Sequence, residues 1–241
     1  MNELKLFLMK ILGPFLMAKC RVLENNALSE HFHLIKIQGR KFKNIQWVAG
    51  QKIQLNIKDN VMRSYTPTTW NALTGEVETL IFTHNNGPGA IWAKNVKPNE
   101  KAIFLGPRSS FKILPEHENI ILFGDETTIG LAYALKENHK NLKIHSIFET
   151  DYLEESRNVL VKFNLLDSSL YSRNQEQMIS EEISRHFLST KGHILLSGKQ
   201  QSIIKVRKNL IDLGIEKERI ILKVYWGWKD DPKGKLSNQE L

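Results

Sequence analysis

The sequence predicts two domains in tandem, an N-terminal antiparallel β-barrel over residues 1–116 and a C-terminal α/β domain with a doubly wound parallel sheet over residues 117–241. Three observations predict it. Over the first half of the chain, apolar and polar residues alternate in short runs separated by turn signals, the pattern of half-buried strands. From Ile120 to Phe123 the pattern changes to a continuous apolar run before a glycine, which reads as a strand buried on both faces. Such runs then alternate with stretches whose apolar residues recur at helical spacing, which implies parallel strands joined by helices.

The first domain opens on the apolar run Met1–Leu23, interrupted by Lys5, Lys10, Gly13-Pro14 and Lys19. It is too broken for a membrane span of about 20 apolar residues and lacks a small-residue cleavage site, so a short helix packed on the first domain is expected. Cys20–Leu23 and Leu28–Ile37 read as strands separated by a turn at Glu24-Asn25-Asn26. His31 and His33 share a strand face, but the sequence places no third ligand, so they read as a solvated edge. Gln51–Ile57 alternates through Ile53, Leu55 and Ile57. Met62–Thr69 is read as one strand, followed by a turn at Asn71–Gly75 and a strand at Glu76–His84. Pro88–Asn95 is a short helix, Lys101–Leu105 and Ser110–Ile113 close the barrel, and Pro115–Glu118 is the linker.

In the second domain, strands are expected at Ile120–Phe123, Leu142–Phe148, Ser168–Ser172, His193–Leu196 and Arg219–Tyr225. Helices are expected at Thr127–Lys136, Leu153–Asn164, Met178–Leu188 and Ser202–Leu213. In the last of these Ile203, Val206, Leu210 and Leu213 fall at intervals of 3, 4 and 3. A doubly wound sheet binds its ligand outside the C-terminal ends of its strands.

Composition narrows the function. The 241 residues, 41% hydrophobic and 25% charged, are those of an ordinary globular protein. Thirty-four Lys and Arg against 26 Asp and Glu leave a net charge of +8, suited to an acidic small molecule. No basic block is dense enough to favour nucleic acid. Cys20 is the sole cysteine, which excludes an internal disulfide, a Cys-ligated iron–sulfur cluster and a Cys-rich zinc site. A cytoplasmic monomer without a metal centre is expected.

Four stretches carry the chemistry. Arg63-Ser64-Tyr65-Thr66 puts a cation, a ring and hydroxyls on one extended run. Arg63 suits a phosphate, Tyr65 suits a planar ring, and Thr66 can reach a ring nitrogen, a combination that fits a flavin. An ordinary strand with one exposed Arg is the alternative. His84-Asn85-Asn86-Gly87-Pro88-Gly89-Ala90-Ile91-Trp92-Ala93 brings glycines to the start of a helix, where backbone N–H groups can meet an anion. Gly106-Pro107 repeats the Gly-Pro turn. Gly124-Asp125-Glu126-Thr127-Thr128 follows an apolar strand, with Thr127 or Thr128 as helix cap or ligand contact. Glu149, at the end of the second strand, can bond a ribose diol, which favours NADH over NADPH, and Ser197-Gly198 ends a later strand where a nicotinamide could approach.

Taken in this order, the stretches resemble the ferredoxin-reductase superfamily and, more narrowly, the siderophore-interacting proteins, which are FAD-dependent ferric-siderophore reductases. The resemblance runs from about Cys20 to Trp228. It implies that Arg63, Ser64, Tyr65 and Thr66 hold the flavin, and that the run from His84 through Gly87, Pro88, Gly89, Ala90 and Trp92 binds its pyrophosphate. Gly124, Asp125, Thr127 and Thr128 would open the NADH- or NADPH-binding domain. The Tyr225-Trp226 pair completes the pattern, with Trp226 over the flavin face or in the core. The sequence departs from the family at Thr68 and Gly227, where a basic residue is usual, and at Ala90, where a serine is usual. Lys223 or Lys229, with Trp228, would then meet the acidic ferric chelate. Hydride and single-electron transfer need no protein acid or base, so no catalytic side chain is assigned. A flavin reductase with another acceptor, and a binding protein that holds a siderophore or nucleotide without turnover, remain the alternatives.

Overall fold

The computed structural model describes residues 17–58, 61–84, 87–108, 118–190 and 192–227. The chain divides into two compact units, Met1–Ser110 and Phe111–Leu241. The boundary expected after residue 116, the strand at Ser110–Ile113, the linker from Pro115, the N-terminal helix up to residue 16, and Trp228 and Lys229 lie outside the described residues.

The first unit contains β1 (Met17–Ala27), β2 (Phe32–Gln38), β3 (Lys52–Lys58), β4 (Val61–Tyr65), β5 (Thr69–Asn71), β6 (Glu76–Phe82) and β7 (Lys101–Arg108), with α1 (Pro88–Asn95) between the last two. The strands form one antiparallel sheet in the order β4-β3-β7-β1-β2-β6-β5. Its edges, β4 and β5, are joined by Thr66, Pro67 and Thr68 alone. Seven strands laid flat at about 4.8 Å spacing would hold the edges about 29 Å apart, whereas four residue steps reach at most about 14 Å. The sheet therefore curls into a half-barrel. Alternate residues turn inward, Val22 from β1, Ile35 and Ile37 from β2, Ile53 and Leu55 from β3, and Phe104 from β7, and all are essentially inaccessible. Phe42 lies against Phe104, ring centroids 4.0 Å apart, and receives Trp70 edge-on.

Three expectations are corrected here. Met62–Thr69 is two strands on opposite edges, because Pro67 has no N–H to continue a ladder. Glu24-Asn25-Asn26 lies within β1, which bulges between Val22 and Glu24. The turn comes later, where the Leu28 N–H donates to the Phe32 carbonyl at 2.8 Å. Asn25 stays in the strand because its side-chain amide donates to the Ala93 and Val96 carbonyls, at 2.8 and 2.9 Å, around the end of α1. Its Oδ1 meets His33 Nδ1 at 3.1 Å, so His33 is buried rather than solvated.

The second unit contains β8 (Asn119–Gly124), β9 (Lys143–Thr150), β10 (Ser169–Ser172), β11 (His193–Lys199) and β12 (Ile220–Trp226). Its helices are α2 (Ile129–Asn138), α3 (Leu153–Lys162), α4 (Glu176–Thr190) and α5 (Gln200–Asp212). All strand pairs are parallel, in the order β10-β9-β8-β11-β12. Ile121, Phe123, Ile194 and Leu196 pack with Ile179 and Ile183 of α4 and Ile203, Val206 and Leu210 of α5. Their strand neighbours Ile120, Leu122 and Leu195 are buried as well, as a sheet covered on both faces requires. The chain enters at the central β8, moves outward through β9 and β10, and returns to β11 on the other side. The switch point therefore lies between the ends of β8 and β11, at Gly124 and Ser197-Gly198.

Candidate functional sites

In the first unit the fold brings two of the expected motifs together. Edge strand β4 carries Arg63 and Tyr65, and α1 begins beside them. A Cβ built on Gly89 would stand 2.9 Å from the Tyr65 hydroxyl and 3.5 Å from Arg63 Cγ, so this position requires glycine. Tyr65 and Trp92 lie near-parallel with ring centroids 6.3 Å apart. Gly87 offers α1 no side-chain cap, and beyond its chain neighbours no described residue comes within 4 Å of where its Cβ would be. Pro88 at the first helical position has no N–H, and the amides after it are the ones a helix leaves for an anion.

The Tyr65 hydroxyl is buried without a hydrogen-bond partner among the described residues. Burial raises it above the ordinary phenol range, with Arg63 pulling the other way. A buried hydroxyl without a partner costs free energy, and a flavin phosphate or ribityl oxygen would satisfy it. Arg63 is exposed, its guanidinium donating at 3.0 Å to the Met62 carbonyl. A cation, an open helix N-terminus, a ring and an unsatisfied hydroxyl thus fit the diphosphate end of FAD. Ser64 Oγ accepts from Gln54 at 3.4 Å and is exposed, and Thr66 accepts from Thr79 Oγ1 through its carbonyl at 3.1 Å. Ala90 is buried in α1 and His84 stacks on Phe82. Thr68 is completely buried. A basic residue there would have to bury its charge, so its replacement by threonine removes no surface cation in this chain.

In the second unit the end of β8 is not an open phosphate loop. Asp125 Oδ1 accepts from the Thr127 backbone N–H at 2.9 Å and from its hydroxyl at 2.5 Å. Asp125 is therefore the cap, and neither threonine is. Asp125 Oδ2 accepts from the Trp226 indole N–H at 2.7 Å. The glycines serve these contacts: a Cβ on Gly124 would fall 2.4 Å from Thr128, and one on Gly198, whose φ is +108°, would fall 2.6 Å from the Asp125 carboxylate. Protein side chains fill the space that a close-approaching nucleotide was expected to use. The buried Thr128 and Ser197 hydroxyls, both without hydrogen-bond partners among the described residues, are polar groups at the switch point that a nucleotide could satisfy.

The residue that organises this end of the sheet, Arg173, was not among the expected ones. It stands one position beyond β10, the place where a doubly wound sheet puts its ligand groups, and that position was its only sequence signal. Its guanidinium donates to Glu126, to Glu149 at 2.7 Å and to Asp151 at 2.5 Å. The other Glu126 oxygen accepts from Thr150 Oγ1 at 2.9 Å and from the Asp151 N–H at 3.0 Å. Glu149, expected to meet a ribose, is instead buried and paired with Arg173. Burial lifts its carboxyl to about 6, against the opposing pull of Ser202 and Arg173. Glu126 is raised by burial and then by Asp125, and its neighbours hold Arg173 protonated. Arg173 and Lys199 also stand 5.8 and 5.4 Å from the Trp226 ring centroid, within cation–π range. Lys223 lies half-buried on β12.

Residues 48–111 match the family model of the siderophore-interacting FAD-binding domain. Over 92 residues the chain is 33% identical to NADH-cytochrome b5 reductase 2 of Kluyveromyces lactis, a match covering 36% of this chain and 31% of that protein. The siderophore-interacting protein SipS from Aeromonas hydrophila superposes with a TM-score of 0.67 at 16% identity, covering 87% of this chain and 97% of that one. The ferredoxin reductase of carbazole 1,9a-dioxygenase superposes with a TM-score of 0.72 at 13% identity, covering 87% and 69%. The chain thus shares the two-domain ferredoxin-reductase-like fold of these structures, and its residues 48–111 match the family model of the siderophore-interacting FAD-binding domain.

Proposed function

We propose that this protein is an FAD-dependent NAD(P)H oxidoreductase that reduces a ferric siderophore and so releases Fe(II). The observation that carries the reading is the convergence of Arg63, Tyr65, Gly89 and Trp92 within the stretch, residues 48–111, that matches an FAD-binding domain. Bound FAD supplies the conversion between the hydride of NAD(P)H and the two single electrons that two Fe(III) ions accept. Arg63 and the backbone N–H groups at the start of α1 would neutralise its diphosphate, and a flavin oxygen would give the buried Tyr65 hydroxyl a hydrogen-bond partner. Thr127, Thr128, Ser197 and Gly198 contribute to the pyridine-nucleotide site. Glu149 and Trp226 act there through Arg173 and Asp125. Lys223, Trp228 and Lys229 attract the acidic chelate. Reduction is also release, because hard oxygen donors hold Fe(III) more tightly than Fe(II).

A second reading, a flavin reductase serving an acidic redox protein, is favoured by one observation. A groove around Gly39 is lined by Lys19, Arg21, Arg40, Lys43 and Lys101 with no acidic residue among its lining, the kind of surface that steers an acidic partner.

The test is the visible spectrum of FAD-loaded protein, recorded anaerobically as NADH or NADPH and then a ferric siderophore are added. Bleaching followed by return of the oxidised spectrum, with Fe(II) captured by a chelator, supports the reductase. Protein that takes up no FAD sinks it and leaves a binding protein. Bleached flavin that no ferric chelate reoxidises moves the acceptor to the second reading.

A further inference from the structure

The second unit carries a second cluster of chemistry-bearing side chains, set back along β9 from Glu149 toward its N-terminal end. His145 comes from β9, while Glu182 and His186, one turn apart, come from α4. His145 Nε2 lies 3.0 Å from Glu182 Oε1, and His186 Nε2 lies 4.0 Å from the same oxygen. The two imidazoles are stacked with centroids 3.6 Å apart and planes 28° apart. One ligand atom from each of the three residues falls within 4.8 Å of the other two.

We infer that His145, Glu182 and His186 form a binding site for a first-row divalent transition metal ion, of which Zn²⁺ is the best match. The donor set decides the class of ion: two imidazole nitrogens and one carboxylate oxygen suit zinc and its neighbours, whereas calcium and magnesium require oxygen ligands throughout. Spacing agrees, since residues i and i+4 share a helix face and the third ligand comes from the adjoining strand. Ligand atoms in a site with bonds of about 2.0–2.2 Å lie about 3–4 Å apart, so closure asks for side-chain rotation only. The carboxylate is already oriented: Ser169 Oγ donates to Glu182 Oε1 at 2.6 Å, and the Tyr171 hydroxyl donates to Oε2. Such outer partners are what fixes a metal ligand's geometry.

A purely structural reading accounts for less. Glu182 is buried, and Ser169, Tyr171 and His145 already satisfy it. The second imidazole, 4.0 Å from Oε1, lies beyond hydrogen-bond reach of that oxygen, so its only tie to the carboxylate is a long i,i+4 ion pair that a bound ion would replace. Both histidines are partly exposed, at 27% and 38% of their side-chain surface, so an ion can enter from solvent and keep a water in a fourth position. The bound ion would cross-link β9 to α4.

The test is equilibrium dialysis of the metal-stripped, full-length protein against Zn²⁺, with metal analysis. About one ion per chain is expected, with affinity falling about tenfold or more in H145A and in H186A and unchanged in H33A, which alters a histidine of the first unit. Co²⁺ should give the visible absorption of a tetrahedral site in the parent protein and lose it in H186Q. Because a variant can lose its fold instead, circular dichroism of H186Q is recorded alongside, and Zn²⁺ should raise the melting temperature of the parent but not of folded H186Q. Stoichiometric zinc that persists in both H145A and H186A, or no zinc bound by the parent at millimolar concentration, overturns the assignment. None of these readouts depends on flavin.

Discussion

The Trp226 indole N–H donates to Asp125 Oδ2 at 2.7 Å, joining the end of the last strand to the cap that follows β8. This bond holds the carboxylate whose other oxygen starts the turn into α2. W226F deletes the donor and leaves a buried carboxylate oxygen without a partner, at an expected cost of about 1–3 kcal/mol. Urea unfolding checks it, and a change below a few tenths of a kcal/mol would show that Asp125 is held by Thr127 alone.

Y65F should move stability and cofactor affinity in opposite directions. The Tyr65 hydroxyl is buried with no partner among the described residues, so its removal is neutral or stabilising by about 1 kcal/mol in protein free of flavin. FAD affinity should fall about fivefold or more, the loss of one hydrogen bond of about 1 kcal/mol or more. Thermal melts with and without FAD, and a flavin-fluorescence titration, read the two effects separately.

Two glycines of α1 separate a steric role from a conformational one. G87A adds a methyl that meets no described residue within 4 Å beyond its chain neighbours and keeps the backbone N–H groups of α1, so it should bind FAD as the parent does, whereas G89A places one 2.9 Å from the Tyr65 hydroxyl. The expected result is a loss of FAD affinity of about tenfold in G89A alone, equivalent to about 1.4 kcal/mol. Equal affinities in both variants would remove the Tyr65–Gly89 contact from the site.

Replacing Arg173 tests the buried network. R173L leaves Glu126 and Glu149 buried without their cation, which should cost about 3–5 kcal/mol near pH 7.5. The cost should shrink toward pH 5, where Glu149, whose carboxyl sits at about 6, takes up a proton instead.

The pH dependence of the parent follows from Glu149. Its folded value, about 6, lies above the ordinary carboxyl value of 4.5, so the folded chain binds the proton more tightly. The stability this provides is complete below about pH 4.5 and lost as pH rises through about 6, a swing of ~2 kcal/mol. E149Q removes the titration, and its stability profile should be flatter across that window. A parent and variant with parallel profiles would contradict the assignment.

The second unit's strands were legible because Ile120–Phe123 and its counterparts are apolar on both faces, a pattern with few competing readings. The half-barrel was legible as strands but not as pairings. Pro67 breaks Met62–Thr69 into two edges, and that is visible only once the sheet curls. Asn25 has turn-forming chemistry, yet its amide is used at the end of α1, nearly 70 residues away in sequence, and no local window contains that partner. The flavin motif could be read because its residues are neighbours in two short runs. Arg173 could not, since its partners come from two other strand ends, Glu126 after β8 and Glu149 and Asp151 at the end of β9. Gly198 was expected to admit a nicotinamide, but the group that approaches it is the Asp125 carboxylate, and Gly124 is met by Thr128.

The curl of the first sheet also bears on association between molecules. A flat sheet offers two unpaired edges on which a strand from another chain can add. Here the edges are only five and three residues long, and Thr66, Pro67 and Thr68 bind them to each other. An incoming strand therefore finds a short target whose ladder is interrupted by proline.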